Sequence, residues 1–150
     1  MAISSLDDLL NTLATELEQK LNSGSSTYLL KGVTVKRGMT SWNDTDGDRP
    51  CIWFVVIEEL LEEVMGSNTL TMVSIELHGY ADTDGDSSDV MHKLLRDVKY
   101  FIHNDYTLKE SVETPDMSII IDEGGSYDEV GISGFMINFM VRSSYDYSTI

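Results

Sequence analysis

The chain has 150 residues, 41% of them apolar, and its 26 Asp and Glu outweigh 10 Lys and Arg to give a formal charge of -16. That is long enough to bury one core and short for two, so a single domain over residues 1–150 is expected. The negative field excludes a surface that grips nucleic acid or anionic membrane except as a local exception.

Neither a signal peptide nor an apolar run long enough to span a bilayer is readable, and the chain reads as cytosolic in origin. The one cysteine, Cys51, lies in the apolar run Cys51 to Ile57 and reads as a small buried hydrophobe.

Taken in order, Ser4 or Ser5 followed by Asp7 and Asp8 marks a helix start. Leu6, Leu9, Leu10, Leu13, Leu17 and Leu21 carry it on as an apolar stripe at steps of three and four, and Asn22 to Ser26 ends it. Tyr28 to Arg37 reads as a first strand, weakened at Gly32 and basic through Lys31, Lys36 and Arg37. A long polar loop from Gly38 to Pro50 follows. Cys51 to Ile57 is the near-continuous apolar run of a strand covered on both faces, so the middle of the sheet is placed there. Glu58 to Asn68 fits two readings. Leu60, Leu61, Val64 and Met65 suit a short helix, while Gly66-Ser67-Asn68 suits a hairpin turn between two long strands.

In the next stretch Leu70, Met72, Ser74 and Glu76 alternate with Thr71, Val73, Ile75 and Leu77, the period of a strand with one face in the core. Gly79 and the run Asp82-Thr83-Asp84-Gly85-Asp86 are turn chemistry, and a helix is expected from near Ser87. Its apolar face carries Met91, Leu94, Leu95, Val98 and Ile102; another face carries His92, Arg96, Lys99 and His103. Asn104 to Pro115 reads as a polar connection, Met117 to Ile121 as a short strand, and Gly124-Gly125 through Glu129 as a turn. Ile132 to Arg142 is the last strand, with Phe135, Ile137, Phe139 and Val141 on one face. Ser143 to Ile150 is either frayed or an arm that docks on a neighbour. The order α-β-β-β-α-β-β predicts an α+β fold, a mostly antiparallel sheet of about five strands with two amphipathic helices packed on it.

Little in the sequence suggests catalysis. Asp44-Thr45-Asp46-Gly47-Asp48 recurs as Asp82-Thr83-Asp84-Gly85-Asp86, which invites a calcium reading. An EF-hand loop, however, needs glycine and glutamate at positions held here by Arg49 and Val55, or by Ser87 and Lys93. Turn and capping chemistry accounts for both runs. His78, His92 and His103 fit no zinc or nucleophile signature and read as surface residues, and no phosphate-binding glycine motif occurs. No catalytic residue, cofactor or metal is therefore expected.

The candidates that remain are for contacts between subunits. Lys93, Arg96 and Lys99 are three of only 10 cations and share one helix. They are either a solvated face or a surface that meets acidic side chains of a neighbouring copy, a head-to-tail contact that closes into a ring. Trp42, in a polar loop, is either a partner-binding anchor or buried by its own loop. Tyr145 and Tyr147 are the aromatic candidates of the C-terminal segment.

In arrangement the chain resembles the tail terminator, or tail completion, proteins of long-tailed bacteriophages. The likeness rests on the leucine helix, on Asp48-Arg49-Pro50 before CIWFVVI, and on Glu76-Leu77-His78-Gly79-Tyr80 closing a strand. The helix VMHKLLRDVKYFI and the final aromatic strand FMINFMVRSSYD complete it. The acidic run Asp44 to Asp48 and the Glu58 to Glu63 segment stand outside that pattern. The resemblance implies a non-enzymatic virion protein, assembled in the host cytoplasm, that forms a hexameric ring at the head-proximal end of the tail tube. Such a ring stops polymerisation of the tail tube protein and offers a docking surface to the head connector or stopper protein. DNA passes through it without specific binding, and no membrane is involved. A head-side neck or stopper protein is the alternative within that class. From the charge alone, an acidic DNA-mimic inhibitor is a further reading. It is weakened by the concentration of aspartates in turns and by a basic main helix.

Overall fold

The computed structural model describes residues 6–38, 47–65, 68–83, 89–116 and 132–146, with backbone alone at 62–65, 68–69, 110, 113–116 and 144–146. Helix α1 spans Leu6–Leu21, with Asp7 and Asp8 in its first turn and Lys20 in its last, the charge order that the helix dipole favours. Leu9, Leu13, Leu17 and Leu21 form its buried stripe. Asn22 stops it. The Asn22 side-chain amide donates to the carbonyls of Glu18 at 2.9 Å and Val33 at 3.0 Å, and its Oδ1 accepts the Val33 N–H at 2.8 Å. One side chain thus pairs with both backbone groups of Val33, as a neighbouring strand would.

The first strand, β1, is Thr34–Arg37, shorter than the expected Tyr28 to Arg37. The cause is a single carboxylate. Asp97 belongs to helix α2, Asp89–Tyr100, and is fully buried. Its two oxygens accept the amides of Leu29 and Leu30, each at 2.9 Å, which removes those donors from any ladder. Farther back, the Tyr28 hydroxyl donates to Asp105 at 2.6 Å. Burial first, and then that bond, push the hydroxyl above the ordinary phenol range.

The sheet is mixed, in the order β1-β2-β3-β5-β4: β1 runs parallel to β2 and the other neighbours pair antiparallel. Strand β2 is Cys51–Met65 and β3 is Asn68–Asp82, so the undecided Glu58 to Asn68 stretch is a hairpin. Register shifts at Ile57 and Glu62 explain its helix-like pattern. Each extra residue moves the apolar phase to the other face, which breaks the period of two. The middle of the sheet is β3 and not Cys51 to Ile57. β1 pairs with β2 only as far as Phe54, and beyond it no described strand flanks β2 on that side.

Strand β4, Val112–Asp116, falls in the stretch expected to be a polar connection. It is an edge strand that needs no apolar alternation, and an edge tolerates Pro115. The Met117 to Ile121 strand and the Gly124 to Glu129 turn lie outside the described residues, as does the start of α2 near Ser87. Strand β5, Ile132–Asp146, outruns the expected end at Arg142. Ser143 to Asp146 pair with Thr71 to Asn68, so the first half of the presumed arm is sheet.

Both helices pack on one face, where Met91, Leu94, Leu95 and Val98 of α2 and the α1 leucines meet Ile52, Phe54, Ile75, Leu77, Phe135, Ile137 and Phe139. After Tyr100 the chain makes a π-helical turn, Phe101–Asp105, that keeps Phe101 and Ile102 buried. On the opposite face Cys51, Trp53, Tyr80 and Ile132 form a smaller cluster. There the Trp53 ring stacks on His78 with centroids 4.0 Å apart, and His78 Nε2 hydrogen-bonds Glu76. His78 is therefore half-buried, whereas His92 and His103 are exposed as expected.

Gly79, expected in a turn, lies inside β3 opposite Phe135. A Cβ added there would stand 2.3 Å from Phe135 Cε1, so the ring lies across the space a side chain would fill. Gly79→Ala is expected to destabilise the fold by about 1–3 kcal/mol, the range for overpacking a core. Asp97→Ala leaves two amides without an acceptor and is expected to cost about 2–5 kcal/mol, with Asp97→Asn costing less because one acceptor survives. Urea unfolding followed by tryptophan fluorescence measures both, and a smaller loss for Ala than for Asn at position 97 would contradict the lock.

Candidate functional site

Two surfaces stand out, and both follow from the way the chain is pinned. The first is a basic corner. Because Asp97 holds the Leu29 and Leu30 amides, the exposed Leu29 side chain (52% accessible) and the exposed Lys31 are carried to α2. Arg96 completes the join. Its guanidinium donates to the Thr27 carbonyl and to Asp97 at 3.2 Å, and it lies 5.0 Å over the Tyr100 ring. Lys93 pairs with Asp89 one turn back at 3.0 Å, an exposed contact worth a few tenths of a kcal/mol. Lys31 and Lys99 have no carboxylate partner among the described residues.

The three helix cations named from sequence therefore differ in kind. Arg96 is accounted for inside the chain, Lys93 is loosely held, and Lys99 is available. Lys31 was missed as a member of the group. In sequence it belongs to a presumed strand, and only the buried Asp97, a charge in an otherwise apolar helix face, signals that the strand is interrupted there.

The second surface is the outer part of the β2–β3 hairpin. At ~3.3 Å per residue the 15-residue strands run about 50 Å, while 16- and 12-residue helices at ~1.5 Å per residue reach about 24 and 18 Å. The ribbon must outrun the layer that covers it. Along its edge Ile57, Leu60 and Leu61 are 54%, 48% and 63% accessible, and Glu58 and Glu59 beside them are exposed. Apolar side chains left this open, on a strand with no described neighbour on that side, make this stretch a candidate interaction surface.

At the other end of the sheet the described aspartates of the two runs are ion-paired. Asp48 pairs with Lys36 at 2.8 Å and Asp82 with Arg49 at 2.7 Å. Among the described residues no group of three or more His, Cys, Asp or Glu is arranged to hold a metal ion. Asp44, Asp46, Asp84 and Asp86 lie outside them, as do Trp42 and Tyr147. Tyr145 is placed by its backbone alone, opposite Thr69. No described helix is long and apolar enough to cross a membrane. The α1 groove lined by Asn11, Thr12, Thr15, Glu16 and Gln19 is open to solvent. Burial raises the Glu16 carboxyl above its usual range, against the lowering effect of the Thr107 amide and of Lys20.

The chain matches no known family model and no curated protein.

The contrast among the cations has a direct consequence. Arg96→Glu places a second carboxylate beside buried Asp97 and is expected to lower the thermal midpoint of unfolding by several degrees or more, since ~1 kcal/mol is worth about 2–8 °C in domains of this size range. A Lys93→Glu, Lys99→Glu double variant is expected to melt close to the parent. Equal losses in calorimetry would show that Arg96 is no different from its neighbours.

Proposed function

We propose that the chain is a structural protein that assembles head to tail into a ring, and that the ring ends a phage tail tube at its head-proximal side. The observation that carries this reading is the pairing, in one subunit, of an apolar and acidic strand edge with a separate basic corner. A chain with formal charge -16 repels its own copies overall, so association requires that its few cations be gathered where a copy can meet them. The resemblance supplies the rest of the proposal: six subunits, the tail tube protein on one face, and a head connector or stopper protein on the other. DNA crosses a ring of such subunits without being held, because the net field opposes phosphate binding.

Negative-stain imaging and light scattering of the purified protein are expected to show rings, and addition to polymerising tail tubes is expected to fix tube length. Subunits that stay monomeric with tubes present and leave their length unregulated would overturn the proposal. Incubation with tailless heads and with free tails identifies the side of attachment. Density gained on heads alone would replace the tail terminator with a head-side neck or stopper protein.

A further inference from the structure

We infer that the side-chain clasp around Asp97 keeps a strand-forming segment, Tyr28 to Val33, from pairing with the same segment of a second copy, and that opening the clasp turns the segment into a docking edge. The inference does not depend on the ring reading.

The segment runs straight into β1, yet no residue from Asn22 to Val33 joins a ladder. Its own sheet has no place for one. β1 meets β2 with Thr34 opposite Cys51, the first residue of β2, and the Thr34 amide donates to the Pro50 carbonyl at 3.1 Å. Residues before Thr34 would run past the end of β2. Side chains instead take the bonds that a ladder would make: Asp97 accepts from Leu29 and Leu30, Asn22 meets the N–H and the carbonyl of Val33, and Arg96 donates to the Thr27 carbonyl. The clasp also bends the chain. Gly32 has a φ of 78°, and a Cβ there would meet nothing within 4 Å, so the glycine serves the backbone turn alone. With Gly32 extended, Tyr28 to Arg37 can form one continuous strand. Opening strands the buried Asp97 carboxylate and uncovers Tyr28 and Val33, which keeps the parent closed.

Composition points to a like partner. Gln19 to Asn43 contains no Asp or Glu in a chain of formal charge -16, so copies repel one another least along this stretch. An antiparallel pair centred on Leu30 sets Lys31 of each copy against Leu29 of the other, and no like charges meet.

Two variants open the clasp by different routes. Asp97→Asn leaves one amide without its acceptor, whereas Gly32→Val removes no contact and disfavours only the left-handed backbone conformation. Each is expected to speed hydrogen exchange at Leu29 and Leu30 at least ~tenfold while α1 and β3 keep their protection. Each is also expected to tighten self-association at least ~tenfold relative to the parent in sedimentation velocity. Adding Leu29→Lys, which sets a second lysine against Lys31 of the other copy, is expected to return association to the parent's level. Thr15→Lys, the same charge added on the exposed side of α1, is expected not to. Circular dichroism melts establish that each variant is folded, and Gly32→Val carries the test alone if Asp97→Asn is not. Leu29 and Leu30 amides that keep the parent's protection, faster exchange without added association, or association that Thr15→Lys suppresses as well as Leu29→Lys does, each overturns the inference. All three leave the ring standing, because the parent's own assembly is the reference.

Discussion

The buried carboxylate of Asp97 is the constraint on which the rest of the structure depends. A lone charge in an apolar interior would cost several kcal/mol, and it is tolerated here because every oxygen is used: two backbone amides and a guanidinium meet it. The bonds run across the fold. They tie α2 to the connection between α1 and β1, and Asn22 at one end and the Tyr28 to Asp105 bond near the middle tie the same connection again. A segment with no ladder of its own is thereby fixed, and its end delivers Thr34 in register with Cys51. Apolar replacement of such a group is often neutral for stability elsewhere. Its value here is positional, because only a two-oxygen acceptor can hold two successive amides.

The sheet then divides the molecule unequally. Over Cys51 to Phe54 and the partners opposite them, both faces are covered, by helices on one side and by the Trp53 and Tyr80 cluster on the other. Farther along, Ile57, Leu60 and Leu61 of β2 come into solvent, while Val73, Thr71, Val141 and Ser143 of β3 and β5 stay buried. Ile57 is the pivot. As the extra residue of a bulge it has no direct partner in β3, and it turns the following residues so that Glu58 faces Ser74 and Leu60 faces Met72. One strand thus supplies core at its start and an exposed edge at its end.

How much of this was legible follows from which signals are local. The leucine stripe of α1, the apolar face of α2, the alternation of β3 and the aromatic face of β5 each repeat within their own element, and each was read correctly. The misreadings involve information held elsewhere in the chain. Tyr28 to Val33 has strand-like residues and fails to form a strand because a helix some seventy positions later, roughly, captures its amides, an override of local preference by tertiary contact. The bulges at Ile57 and Glu62 shift phase within β2, and no composition marks them. β4 escaped because an edge strand carries no apolar period. Among the candidate site residues the helix cations were visible as a cluster. That Arg96 serves the Asp97 lock while Lys31 joins the corner depends on the fold.

A formal charge of -16 constrains how copies of the chain can meet. Lys36, Arg37 and Arg49 are engaged by Asp48, Asp7 and Asp82 of their own chain, and Arg96 by Asp97. Exposed glutamates such as Glu58 oppose the pairing of a partly apolar strand with its own likeness, the hazard of any uncovered edge. Screening at physiological salt reaches about 8 Å, so the diffuse repulsion between subunits is damped at long range, while charges brought into contact at a partly desolvated surface still interact. The fold thus decides where Arg96 and Lys31 sit. Their position traces back through Leu29 and Lys31 to the carboxylate that holds the connection in place.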